Sequence, residues 1–187
     1  MSLIKPTLFE ISNNFIKLSE KCSDEIEFAS KIIIDSIKNS NKVMFCGNGG
    51  SAADSQHLSA ELVGRFIKNR RPLSSISLTT DTSAITAISN DFSFEEIFSR
   101  QIEAIGKKND TLYAISTSGN SKNILAALDA AKNLGIKTVG VTGEDKSNMD
   151  NLCDIIIKVP AKRPDRIQEM HIAIGQIICE LVENELC

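Results

Sequence analysis

The stretch KVMFCGNGGSAADSQHLSAELVGRF, Lys42 to Phe66, decides the fold. Four apolar residues, Val43 to Cys46, run without alternation and stop at a glycine cluster; residues at helical spacing follow. A strand with no polar face is one covered on both sides, as in a parallel sheet packed between helices. Working outward, short β-branched and apolar runs recur at Ser75–Leu78, Thr111–Ile115, Thr138–Thr142 and Ile155–Val159. Helical stretches separate them at Ser51–Phe66, Thr82–Ser89, Phe94–Ile105 and Ser121–Leu134, the last stopping at Gly135, and a final helix runs from about Pro164 to Asn184. Upstream, apolar residues at Ile11, Phe15 and Leu18, then at Ile26, Ala29, Ile33 and Ile37, predict an N-terminal helical pair, with Ser23-Asp24 opening the second helix. The expected class is α/β, a doubly wound five-stranded parallel sheet.

The bulk properties narrow the function. A chain of 187 residues without repeats or a Pro/Gly/Ser-rich linker predicts one domain, with 1–40 as a helical segment and 41–187 as the α/β core. Twenty-one basic residues against 24 acidic ones give a net charge of -3, so no basic field faces a nucleic-acid backbone. The sequence holds no bilayer-spanning run, and its start, MSLIKPTLFEISNN, has neither the basic nor the apolar region of a signal peptide; no membrane partner and a cytoplasmic location are expected. The five cysteines form no C-x-x-C pair, which argues against a zinc knuckle and against a disulfide framework.

Doubly wound sheets bind ligands beyond the carboxyl ends of their strands, so the loops there carry the function. Gly47-Asn48-Gly49-Gly50-Ser51-Ala52 satisfies G-x-G-x-x-A, yet the acid that would hold a nucleotide ribose is missing: the region about 20 residues on reads FIKNRRP. A phosphate or sugar suits this turn better than a dinucleotide, because glycine lets backbone N–H groups approach an anion at a helix start. After the third strand, Ser116-Thr117-Ser118-Gly119-Asn120-Ser121 supplies four hydroxyls where one would cap a helix. The two loops share one edge of the sheet and outline a pocket for a phosphorylated polyol.

In that order and spacing, GNGGSAADSQHLSAEL, ISND, STSGNS and RIQEMH resemble the phosphoheptose isomerase family of sugar-isomerase (SIS) domain proteins, over nearly the whole chain. The resemblance implies a flavodoxin-like three-layer sandwich with an N-terminal helical segment, assembled as a homotetramer with sites between subunits. It implies isomerisation of sedoheptulose 7-phosphate to D-glycero-D-manno-heptose 7-phosphate, the first step toward nucleotide-activated heptose for lipopolysaccharide or capsule. Substrate contacts implied are Asn48, Gly49, Gly50, Ser51, Glu61, Asn90, Asp91, Ser116, Thr117, Ser118, Ser121 and Gln168. Zinc is the implied metal, held by His57, Glu61, Gln168 and a later histidine, a position occupied here by Gln176.

Ketose–aldose exchange needs a base at the carbon beside the carbonyl. His57 and Glu61, at i and i+4, lie about 40° apart around a helix, so both can face the pocket, with Glu61 as the base. Gln176 cannot exchange a proton near neutral pH, though its carbonyl oxygen can ligate a metal. The acid is then a metal-bound water, Glu61 itself, or His171, whose bland reading is a packed core histidine. Gln168 and Gln176 stand about 12 Å apart along one helix, which predicts that the two glutamines of one site come from different subunits. Ile167, Met170, Ile174, Ile177, Ile178 and Leu181 give the terminal helix an apolar surface for a bundle or for the chain's own core. The alternatives are a non-catalytic SIS-domain module that binds a sugar phosphate or a protein such as a replication initiator, favoured by Gln176, and a nucleotide-dependent oxidoreductase, weakened by the missing ribose acid.

Overall fold

The computed structural model describes residues 2–187. Five parallel strands, β1 (Val43–Gly47), β2 (Ser75–Ser77), β3 (Thr111–Ile115), β4 (Lys137–Thr142) and β5 (Ile155–Lys158), form one sheet in the order β2-β1-β3-β4-β5. β1 and β3 are buried along their whole length, whereas β2 and β5, at the edges, are only partly covered. The unbroken apolar runs of the sequence are therefore the central strands.

Helices cover both faces. α1 (Ile4–Lys38), α2 (Gly50–Val63) and α6 (Pro164–Leu186) pack a core of Ile33, Leu58, Leu62, Tyr113, Val141, Ile174 and Ile178 on one side. On the other, α3 (Thr82–Asp91), α4 (Ser99–Ile105) and α5 (Lys122–Asn133) enclose Met44, Leu112, Ile124, Leu128 and Phe98. α5 stops in a left-handed Gly135 (φ 68°), with the Ile136 N–H donating to the Ala131 carbonyl and the Gly135 N–H to that of Lys132, a Schellman closure.

Two expectations fail for identifiable reasons. The N-terminal segment is one 35-residue helix rather than a pair. Ser23 does not open a second helix: its hydroxyl donates back to the Ser19 carbonyl at 2.6 Å, the bond a serine makes inside a continuing helix. Conversely, the stretch expected as one helix over Phe94–Ile105 is a 3-10 turn at Phe94–Glu96 followed by α4, with Ile97 and Phe98 buried at the joint. Burying both apolar residues under the sheet outweighs continuing the helix through them.

α2 and α6 lie side by side and run in the same direction. A Cβ on Gly50 would sit 3.5 Å from the Gln168 carboxamide, one on Gly175 would meet Leu58 at 2.4 Å, and the N–H groups of Phe66, Ile67 and Lys68 all donate to Glu183. Gly175 is what lets the two helices touch at Leu58. Most of the apolar surface read on the last helix is this core: Ile167, Met170, Ile174 and Ile178 are buried, while Ile177 and Leu181 face outward.

Candidate active site

The strand order reverses direction between β1 and β3, and there the two loops singled out by sequence face each other. The glycine turn leaves β1 through Asn48 and Gly49, the latter in the left-handed region (φ 56°), and enters α2 with no side chain capping the helix. Gly47 allows this approach, since a Cβ there would lie 2.5 Å from the Ser51 carbonyl oxygen. Across the cleft, Ser121 precedes α5, yet its hydroxyl lies 3.2 Å from that of Ser116 and leaves the helix uncapped.

Each helix therefore presents its first N–H groups to the cleft. Among the described residues, no backbone acceptor takes the N–H of Asn48, Gly49, Gly50, Thr117, Ser118, Ser121 or Lys122. Unpaired donors at two helix starts, with aligned peptide dipoles behind them, form an anion site. Gly119 (φ 62°) makes the second turn possible; a Cβ on it would strike the Ser147 hydroxyl. Ser51 and Ser116 are buried, and Ser118 is exposed.

Along α2 the pair His57 and Glu61 meets as the spacing predicts, with Nε2 3.0 Å from Oε1. His57 is about half exposed and Glu61 about one quarter. One turn earlier, Asp54 completes an i, i+3, i+7 stripe; burial raises its carboxyl pKa and nearby His57 pulls it back. Sequence reasoning passed over Asp54, although its spacing from His57 was the available signal. The α2 terminus behind the pair is held from outside the helix: Arg70 donates to the carbonyls of Glu61 and Leu62 at 2.8 Å each, and to Glu183 at 2.9 Å.

The remaining site residues are distributed. Gln168 lies over Gly50, at the anion end of α2. Gln176 follows Gly175, so it is level with Leu58 and hence with His57 and Glu61. Gly50 precedes His57 by seven residues, about 10 Å of helix, so Gln168 does not reach the His57–Glu61 pair of its own chain. No group of three or more His, Cys, Asp or Glu side chains placed to hold a metal exists among the described residues. The expected set of His57, Glu61, Gln168 and Gln176 is not brought around one point: a single chain offers one imidazole, one carboxylate and a nearby amide, and does not make a zinc site. Asn90 and Asp91, hydrogen-bonded to each other at 2.8 Å, end α3 on exposed surface and, among the described residues, make no side-chain hydrogen bond to either loop.

His171 is buried at 1% exposure, and neither ring nitrogen has a hydrogen-bond partner. Burial drives its pKa down to about 4, outweighing the opposing effect of the nearby Thr142 backbone, so it is neutral at pH 7 and is no proton donor there. A groove of about 290 Å³ opens on the outer flank of the hydroxyl loop, but its Lys162 is already 3.3 Å from Asp145, and neither His57 nor Glu61 reaches it.

Comparison with known proteins agrees with this geometry. A family profile described as SIS domain matches residues 9–143. The chain is 52% identical over 170 residues to the phosphoheptose isomerase of Aliarcobacter butzleri, covering 91% of this chain and 90% of that one. It is 51% identical over 181 residues to that of a Nitratiruptor species, covering 97% of each. The structure of a phosphoheptose isomerase from Neisseria gonorrhoeae superposes with a TM-score of 0.92 at 35% identity, over 97% of each chain. With four sequence motifs, the sheet order and these relatives in agreement, the chain belongs to the phosphoheptose isomerase family of SIS-domain proteins.

Proposed function

We propose that this protein converts sedoheptulose 7-phosphate to D-glycero-D-manno-heptose 7-phosphate in the cytoplasm, opening the supply of nucleotide-activated heptose for lipopolysaccharide or capsule. The observation that carries this reading is a pair of uncapped helix starts facing each other at the β1/β3 reversal, with the His57–Glu61 pair farther along one of them. The 7-phosphate takes the free N–H groups and the hydroxyls of Ser116, Thr117, Ser118 and Ser121. The sugar extends toward α2, where Asn48, Gly49, Gly50, Ser51 and Gln168 meet its hydroxyls.

Glu61 takes a proton from C1 of the ketose, the electron pair forms the C1–C2 enediol, and the same carboxyl returns the proton to C2 while the O1 proton passes to O2. His57 Nε2–H donates to Glu61 Oε1, which fixes the carboxylate and leaves Oε2 as the base. With His171 neutral and buried, the His57–Glu61 pair carries the acid role as well.

Zinc, one ion per site, would fit only a composite cluster in which a second subunit supplies Gln168 to His57 and Glu61, with Gln176 as a weaker amide ligand, and bound there it would polarise the substrate carbonyl. A homotetramer is supported by the outward Ile177 and Leu181, by Leu8, Phe9 and Ile16 exposed on α1, and by Asn90 and Asp91, which need a neighbouring chain to reach a substrate.

The test is conversion of sedoheptulose 7-phosphate in D2O followed by NMR. The wild type forms heptose 7-phosphate with solvent deuterium at C2, and Glu61→Gln loses about 10²- to 10⁴-fold in rate while still binding the sugar phosphate. Binding without exchange or conversion by the wild type would make this a non-catalytic SIS-domain binding module.

A further inference from the structure

The two loops of the cleft are joined by one contact that involves no ligand. Asn48, in the glycine turn, donates through Nδ2 to Oδ1 of Asn123 at 2.8 Å, and Asn123 Nδ2 returns a bond to Asn48 Oδ1 at 2.8 Å. Asn123 stands in the first turn of α5, is 3% exposed, and is 75 residues away in sequence. The Asn48 side chain is thereby committed, so only its backbone is left for a substrate. Asparagine is a poor helix residue and a costly one to bury, which makes its presence in that turn a matter of its partner.

We infer that Asn123 is a positioning residue of the active site: its reciprocal amide pair with Asn48 sets the separation between the two helix starts that grip the phosphate and the sugar. The inference rests on the isomerase reading above. No other side-chain hydrogen bond bridges the glycine turn and the start of α5 among the described residues, so above the last strand pair, Gly47 with Ile115, this amide pair is the link that holds the gap across the top of β1 and β3.

The amide pair has a chemical signature. A carboxylate at position 123 can accept from Asn48 Nδ2, but its second oxygen then faces Asn48 Oδ1 with no proton between them; turning the Asn48 amide over merely exchanges the two contacts. A protonated carboxyl has the shape and the donor of the lost amide and restores both bonds. Asn123→Asp is therefore a positioning defect that acid repairs.

The experiment is the pH profile of kcat and KM for wild type, Asn123→Asp and Asn123→Leu with sedoheptulose 7-phosphate, below the melting temperature of each. At pH 8, Asn123→Asp raises KM about tenfold, the effect of one unsatisfied buried hydrogen bond. Its kcat/KM relative to wild type recovers as pH falls toward 5, while Asn123→Leu stays impaired throughout. A ratio for Asn123→Asp that is flat across this range overturns the inference. Should Asn123→Asp fail to fold, Asn48→Asp places the same carboxylate in the loop half of the pair and must show the same acid recovery. A wild type that does not turn over refutes the isomerase reading instead; the ratio is then taken from calorimetric affinities for sedoheptulose 7-phosphate, where a flat profile again removes Asn123 from its role.

Discussion

Arg70 and Glu183 form the most deeply buried ion pair among the described residues. The guanidinium Nε lies 2.9 Å from Glu183 Oε1, and its other nitrogens close the last carbonyls of α2. Both side chains are almost fully buried. Through this pair the helix bearing Glu61 is anchored to α6.

Stability at low pH should report on it. Burial alone pushes the Glu183 carboxyl up, but the N–H groups of Lys68, Ile67 and Phe66 and the Arg70 guanidinium outweigh it and hold the pKa at about 2. A folded-state pKa below the unfolded one stabilises the fold above the unfolded value, and the gain is lost as pH falls through the folded value. Between an unfolded value of about 4.3 and that folded one, the linkage is on the order of 3 kcal/mol. Urea denaturation of Glu183→Gln at pH 7 should show a loss of that order, shrinking between pH 4 and pH 2. An equal loss at both ends would refute the assignment.

Two glycines of the cleft should differ in what alanine does to stability. Gly119 is left-handed and walled by Ser147, so Gly119→Ala must move the hydroxyl loop; a rise of at least about tenfold in KM is expected, with about 1–3 kcal/mol of lost stability. At Gly50 a Cβ meets only the Gln168 carboxamide, at 3.5 Å, and alanine suits a helix better. Gly50→Ala should melt no lower than wild type while losing substrate affinity. Thermal melts and steady-state kinetics separate the two.

His171, held neutral by burial with a pKa of about 4, makes a negative prediction for catalysis and a positive one for stability. Its folded-state value is depressed, so its contribution is present above pH 6.5 and is lost as pH falls toward 4. His171→Gln should leave the shape of the kcat profile unchanged and flatten the stability curve in that window. A missing alkaline limb in the rate profile would instead make His171 the general acid.

Metal affinity should be limited by the residue at 176. Gln176→His would place an imidazole level with His57 and Glu61, giving the cluster a third strong zinc donor. Zinc retained after dialysis, or measured by calorimetry, should then tighten by at least about tenfold, the order of one added ligand interaction. No change would show that position 176 points away from the pair.

Much of this was legible beforehand. The sequence marks Thr111–Ile115 to the residue because a short β-branched and apolar run between polar turns has the length of a strand, and the two loops and the His57–Glu61 spacing are local patterns. The order β2-β1-β3-β4-β5, which sets those loops face to face, is a property of crossovers and is not written in any one segment. Asn123 was missed because its partner is 75 residues away. Ser23 misled because a serine signals a helix start and, through a backward hydrogen bond, also tolerates a helix interior. Asn90 and Asp91 match a motif, but a motif does not say where on the folded surface its side chains lie.

The two helices that begin without caps have a consequence beyond catalysis. Backbone donors that no side chain caps exchange water for an anion when the substrate binds, so occupancy tightens the fold at the starts of α2 and α5. A ligand at 100 times its dissociation constant adds about 2.7 kcal/mol to a protein that binds it only when folded. The abundance of this enzyme in a cell would then follow its metabolite: when heptulose phosphate runs short, the loosened chain becomes the better target for proteases, and supply of substrate sets the lifetime of the catalyst.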